Sequence, residues 1–181
     1  MQSNPAREIA KQGNDVGRGP AIAAIQTDQR AGKYLTFQLG KEEFAMQVVR
    51  VREILRVQEI TAVPHTPDYL KGVMNLRGQV VPVLDLRVKL GIQEQEYTQR
   101  TCIIVVQNDS ESHHRVAGVI VDAVSEIVNL QASEIENTPD FGGGVATPYL
   151  LGMAKIKGRV KILLDIDVVL AAEDMPGLAS G

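Results

Sequence analysis

The sequence predicts an all-β protein of two similar small modules, each closing as a barrel and sharing a hydrophobic face, with short helices and a C-terminal helix. Three observations carry this. The apolar segments are strand-length runs with Gly- and Pro-containing turns between them, the spacing of small closed sheets. Aromatic residues make up only 4% of the 181 residues and Trp is absent, so the core must be built from Val, Ile and Leu, which favour strands. Most telling is an internal repeat. Residues 69–86, from Tyr69 to Leu86, align without gaps on Tyr149 to Ile166, with 7 of 18 pairs identical, among them both glycines and the final Asp.

A second echo precedes each copy: Phe44 to Ile54 resembles Val116 to Ile127, and both end in Val-x-Glu-Ile. Two copies are too few for a solenoid. Modules of roughly 65 residues are marginal as independent folds, so the two are expected to share a core. The linear reading places a disordered tail over 1–32, a first module over about 33–98, a second over about 99–166, a closing helix over about 166–173 and a flexible tail over 174–181.

Order is expected from Tyr34. Leu35, Phe37 and Leu39 alternate with Tyr34, Thr36 and Gln38, the pattern of a half-buried strand. Gly40 to Glu43 reads as a turn, and Phe44 to Ile54 as one or two return strands. Thr66-Pro67 reads as the capped start of a helical turn. Gly72–Leu76 and Val80–Leu84 form a hairpin around Arg77-Gly78-Gln79, after which Asp85 caps a short helix ending near Gly91. Thr101–Val106 and Val116–Val121 form a hairpin across a polar loop, Gln107 to Arg115. Val160, Ile162 and Leu164 alternate with Arg159, Lys161 and Leu163, another half-buried strand, and Asp167 to Glu173 reads as the closing helix.

Composition excludes several functions. A net charge of −3, no basic run and few aromatics leave no footprint for nucleic acid. No apolar stretch approaches a membrane span and no secretory leader is recognisable, so a cytoplasmic protein without membrane insertion is expected. The single Cys102 opens an apolar strand and reads as a structural thiol. His113-His114 falls in the polar loop, and His65 in a turn. Gly142-Gly143-Gly144 lacks the Lys-Ser/Thr of a phosphate loop and reads as a connector. Asp85 and Asp165 are equivalent helix caps, and Asp165 with Asp167 lacks a third metal ligand. No nucleophile–base motif emerges. A binding module with no cofactor and no metal is expected.

The segment Tyr69-Leu70-Lys71-Gly72-Val73-Met74-Asn75-Leu76-Arg77-Gly78, continuing through Val81-Pro82-Val83-Leu84-Asp85-Leu86, resembles the CheW family. Supporting matches are Phe44 through Ile54, Val121-Asp122-Ala123-Val124 and Leu164-Asp165-Ile166, so the resemblance spans 33–172. It implies two SH3-like five-stranded β-barrels and a non-enzymatic scaffold. It also implies two partners, the cytoplasmic hairpin tip of a methyl-accepting chemoreceptor and the regulatory domain of the histidine kinase CheA, which would recruit the protein to the inner face of the membrane. By the same resemblance, Val48, Val51 and Ile54 correspond to the receptor-binding groove, and Glu53, Asn75 and Arg77 to the coupling positions. An adaptor of a parallel chemosensory pathway such as twitching motility would share the domain. A small-barrel nucleic-acid-binding protein is the alternative of another class.

The repeat sharpens these assignments. The second copy keeps the glycines and the Asp but replaces Asn75, Arg77 and Pro82 with Lys155, Lys157 and Ile162. Retained residues build the barrel, and replaced ones mark where the copies differ in role. Arg holds a carboxylate through two parallel bonds and Lys does not. Arg77 is therefore expected either to pair with Glu53 or to meet an acidic partner residue.

Overall fold

The computed structural model describes residues 29–110, 113–139 and 148–171. The chain forms β1 (Gly32–Leu39), β2 (Glu42–Gln47), a 3-10 turn (Val48–Arg50), β3 (Val51–Arg56), β4 (Leu70–Leu76), β5 (Gln79–Asp85) and the helix α1 (Leu86–Lys89). It continues through β6 (Cys102–Ser110), β7 (His113–Val121), β8 (Ala123–Leu130), a 3-10 turn (Ala132–Glu134), β9 (Ile135–Glu136), β10 (Leu150–Ile156), β11 (Arg159–Leu164) and α2 (Ile166–Val169). No helix among the described residues is long and apolar enough to cross a membrane.

The strands form two sheets, in the orders β8-β1-β2-β11-β10-β9 and β3-β6-β7-β5-β4. Since β9 has only two residues, each sheet has five full strands among the described residues, as expected for paired barrels. The sheets do not follow the linear division at about residue 98. The hairpin β1–β2 is completed by β8 to β11, and the hairpin β6–β7 by β3 to β5. Each repeat thus begins in one sheet and ends in the other. The exchange is sealed by equivalent parallel pairings, Val83, Leu84 and Asp85 of β5 on Gly118, Val119 and Ile120 of β7, and Ile162, Leu163 and Leu164 of β11 on Phe44, Ala45 and Met46 of β2. A hydrophobic pattern states which face of a strand is buried, but not which copy supplies its neighbour, so sequence order misplaced the boundary.

This exchange creates three apolar clusters. Each barrel has its own interior, Tyr34, Ala45, Leu130 and Leu163 in the first and Met74, Val83, Ile103 and Val105 in the second. A larger cluster between them takes Leu35, Phe37, Leu39, Ile104, Val106, Val119, Leu164 and Val169. Strands β1 and β6 are therefore buried on both faces, rather than on one as the alternation of β1 suggested. Its opposite face survives burial because its polar groups are satisfied. The Tyr34 hydroxyl donates to the Arg30 carbonyl at 2.6 Å, and the Thr36 hydroxyl donates to the Glu126 carbonyl at 2.9 Å and accepts from the Glu126 N–H at 3.1 Å.

Other expectations shift locally. The polar stretch from Gln107 to Arg115 is mostly strand, with β6 reaching Ser110 and β7 starting at His113, so the paired histidines open a strand. A hairpin that runs past the core has no face to bury, hence no apolar alternation to read. Thr66 does not cap a helix; its hydroxyl donates back to the Val63 carbonyl at 2.9 Å, and a single turn closes from Leu70 N–H to the Pro67 carbonyl. In β11 the buried residues include Lys161, while Val160 is 54% exposed; the Lys161 ammonium is neutralised by Glu43 of β2. Strands β8 and β9 were not anticipated; in β8 the burial alternates, but Glu126 takes an inward position and Ile127 stands outward at 59% exposure, so no apolar alternation marks the strand. Helix α2 starts at Ile166, with Asp165 accepting from the N–H groups of Asp167 and Val168, but it ends at Val169, short of the expected reach to about 173. The tail through residue 28, the triple glycine and residues 172–181 lie outside the described residues.

Candidate functional site

The candidate coupling residues converge on one rim of the second barrel. Arg77 and Gly78 form the two-residue turn between β4 and β5, both with positive φ, +50° and +85°, the twist that suits a tight hairpin. Asn75 secures the turn: its Oδ1 accepts from the Gly78 N–H at 2.8 Å. Asn75 thus has a local structural task, and Lys155, its counterpart in the second copy, carries no acceptor for that bond.

Across the rim, β3 skips a residue against β6. Val51 faces Val106 and Glu53 faces Val105, leaving Arg52 as the extra residue of a bulge. Bulges re-aim side chains. Here Glu53 meets Arg77 in a forked pair, with Nη1 donating to Oε1 at 2.6 Å and Nη2 to Oε2 at 2.7 Å. The pair joins β3 to the β4–β5 turn, the two edges of the second sheet. Hydrogen bonding to Arg77 holds the Glu53 carboxyl below the usual carboxylate range, against the opposing effect of desolvation. Because the folded-state value is depressed, the pair's contribution is present above the ordinary Glu range and is lost as pH falls through the depressed value. The Glu53 carboxyl carbon resonance is expected to titrate below ordinary glutamates, and to return toward them in Arg77→Ala; unchanged titration in that variant would remove the pair as the cause.

The apolar candidates divide. Val48 opens the 3-10 turn where the chain crosses from the first sheet to the second, Val51 follows it, and both pack on the shared core. Ile54 points outward at 45% exposure. The sequence reading passed over two outward apolar residues, Val49 on the crossing and Val80 beside the Arg77 turn, at 65% and 69% exposure. Val80 had a signal, since Val160 occupies its place in the repeat and is also exposed. An open cleft lined by Gly32, Lys33, Gln47, Val48 and Val49 borders the crossing.

The first barrel carries a weaker copy of the same rim. Glu126, at the equivalent bulge of β8, accepts from the single Lys157 ammonium at 3.1 and 2.9 Å, and Ile127 and Val160 stand where Ile54 and Val80 stand. A compact ammonium cannot fix the plane of a carboxylate as a guanidinium fork does. The two rims thus share a frame and differ in rigidity.

Little here suggests chemistry. Burial pushes the Cys102 thiol up, which disfavours the thiolate, and no cluster of three metal-ligating side chains occurs among the described residues.

Comparison with known proteins decides the family. The model of the CheW-like domain matches residues 33–174. The chain belongs to the CheW-like domain family. The chemotaxis protein CheW of Klebsiella aerogenes is 40% identical over 143 residues, 79% of this chain and 84% of that protein. CheW of Rhizobium meliloti is 38% identical over 140 residues, covering 77% and 88%. Among solved structures, the scaffolding protein TtCheW of Thermoanaerobacter tengcongensis superposes with a TM-score of 0.70 at 28% identity, over 80% of this chain and 90% of that one. This CheW-like chain is accordingly a chemotaxis coupling scaffold with the two-barrel fold of its family.

Proposed function

We propose that this scaffold couples the cytoplasmic hairpin tip of methyl-accepting chemoreceptors to the regulatory domain of the histidine kinase CheA, holding both and transforming neither. The apolar crossing of Val48, Val51 and Ile54 receives the receptor tip. The adjoining rim of Glu53, Asn75 and Arg77 transmits its state to the kinase. The observation that favours this reading is the forked Arg77–Glu53 pair beside that apolar surface. A salt bridge with Arg77 74% exposed contributes little to folding, so its value lies in presenting an ordered, planar polar edge.

One receptor hairpin on one crossing buries a modest area, at or below about 1,200 Å², and binds weakly. Assembly of many receptors, kinases and scaffolds raises effective concentration and strengthens attachment about 10²–10⁴-fold. The protein then works in the cytoplasm, at the inner face of the membrane where its receptors hold it. Arg77→Ala is expected to fold with a melting temperature near that of the parent. It should lose about tenfold in apparent affinity for the receptor–kinase assembly, together with receptor control of kinase autophosphorylation. Co-sedimentation with receptor-containing membranes and kinase measures both, and normal coupling by Arg77→Ala would sink the assignment of that rim.

A further inference from the structure

The chain enters the fold beside an apolar cleft. The carbonyl of Gln29, the first described residue, accepts from the Gln47 amide at 3.2 Å. Arg30 is fixed at both ends. Its carbonyl accepts from the Tyr34 hydroxyl at 2.6 Å, and its Nη1 donates to the Leu151 carbonyl at 3.2 Å and to Asn137 Oδ1 at 3.0 Å. Gln47, which holds Gln29, also lines the cleft, together with Ala31, Gly32, Lys33, Val48 and Val49. The cleft measures about 360 Å³. Val49 is 65% exposed in it, and a side chain at Gly32 would meet no atom within 4 Å, so both ends of its wall stand open.

The sequence supplies an occupant. Just before the entry point runs Ala21-Ile22-Ala23-Ala24-Ile25, an apolar island in a segment otherwise rich in Gly, Asn, Asp and Pro. Five residues are too few to fold by themselves. No charged residue stands between Pro20 and Thr27, so the island can be buried without desolvating a charge. Only Gln26, Thr27 and Asp28 separate it from Gln29, and three residues span at most about 10 Å. Gln29 is bonded to the cleft wall, so this tether keeps the island at the cleft, at an effective concentration on the order of millimolar. A contact too weak to form between separate molecules is well populated under that condition.

We infer that residues 21–25 dock in this cleft, with Ile22 and Ile25 against Val48 and Val49, and shield the apolar crossing until a partner displaces them. The island is then an intrachain competitor, and a receptor tip gains Val48 only when the island leaves. That consequence rests on the proposed receptor reading. The docking does not, since it is a property of the isolated chain.

The test compares the full chain with I22D/I25D, which changes no residue of the described fold. The methyl resonances of Val48 and Val49 and the amide resonances of Gly32 and Gln47 should differ between the two proteins. Those of Val80 and Val160, exposed on the barrel rims, should stay in place. Val49→Asp should release the island from the other side, moving the Ile22 and Ile25 methyls to their positions in an isolated peptide of residues 16–28. Cleft resonances identical in the parent and I22D/I25D would overturn the docking. Differences that fade on tenfold dilution would overturn it too, by assigning the contact to the island of a second copy. Affinity for a chemoreceptor tip fragment should rise about two- to tenfold in I22D/I25D, the release expected when about half to nine-tenths of the parent is shielded. Equal affinities would overturn the shielding. A fragment that binds neither protein counts against the receptor reading alone, because the resonances report docking with no partner present.

Discussion

Arg87→Met is expected to lower folding stability by about 3–5 kcal/mol, the cost of removing one member of a buried ion network. Arg87 and Asp85 are both fully buried, and Asp122 nearly so. Removing the guanidinium leaves two carboxylates facing an apolar interior, while the Met fills most of the volume and limits any cavity. Lysine is no substitute, since one ammonium cannot reach Asp85, Asp122 and the Gln95 carbonyl from the positions that the fork occupies. Hydrogen bonding to Asp85 pushes the Arg87 guanidinium further above its already high range, so the charge persists at any pH at which the fold exists. Tyr97 covers it from solvent, with its ring centre 5.5 Å from the guanidinium carbon. Urea denaturation monitored by circular dichroism measures the effect, and a loss below about 1 kcal/mol would show that the network adds little beyond packing.

Gly72→Ala is expected to cost about as much by a different route. Gly72 has φ +142°, and a Cβ there would lie 2.0 Å from the Thr61 carbonyl oxygen and 3.0 Å from the Ala62 Cα. Both obstacles are backbone, so no side chain can rotate away. Relief requires breaking the bridge in which Thr61 and Val73 exchange hydrogen bonds at 2.8 and 2.9 Å. Backbone strain of about 1–3 kcal/mol and two hydrogen bonds of about 1 kcal/mol each give roughly 3–5 kcal/mol. Two companions grade the cause. Gly152→Ala, where the contact is the Glu136 carbonyl oxygen at 2.7 Å, should cost less. Gly78→Ala, with no atom within 4 Å, should cost only the left-handed backbone, about 1–2 kcal/mol. Thermal melts of the three variants test this order, and equal losses would assign the whole effect to φ.

The repeated glycines show how much of the fold was legible. Gly72 and Gly152 recur as residues that build each barrel, and the structure supplies the reason: both have positive φ and both sit where a backbone carbonyl comes too close for a side chain. Asp85 and Asp165 likewise cap the helices their positions imply. The Glu53–Arg77 pair could be anticipated because the two copies differ there, Arg against Lys, while Glu53 recurs as Glu126. The same comparison held the clue to Arg87, which stands opposite Asp167, but Arg87 passed as an ordinary helix residue. Nothing in a linear chain places Asp122 within 2.8 Å of it, 35 residues away.

The sequence by itself determined the β class, the duplication, the hairpin turns and the difference between the two rims. These are local matters, set by side-chain periodicity, turn conformation and a comparison of two copies of one design. Only the tertiary structure decided that the copies trade their closing strands, that β1 and β6 are buried on both faces, and that Val48 and Val51 rest on the core while Ile54 and Val80 face outward. The physical reason is that strand pairing is satisfied equally by either copy's backbone. The choice falls to the burial of the shared core and of the Arg87–Asp122 pair, which arise only once distant segments have met.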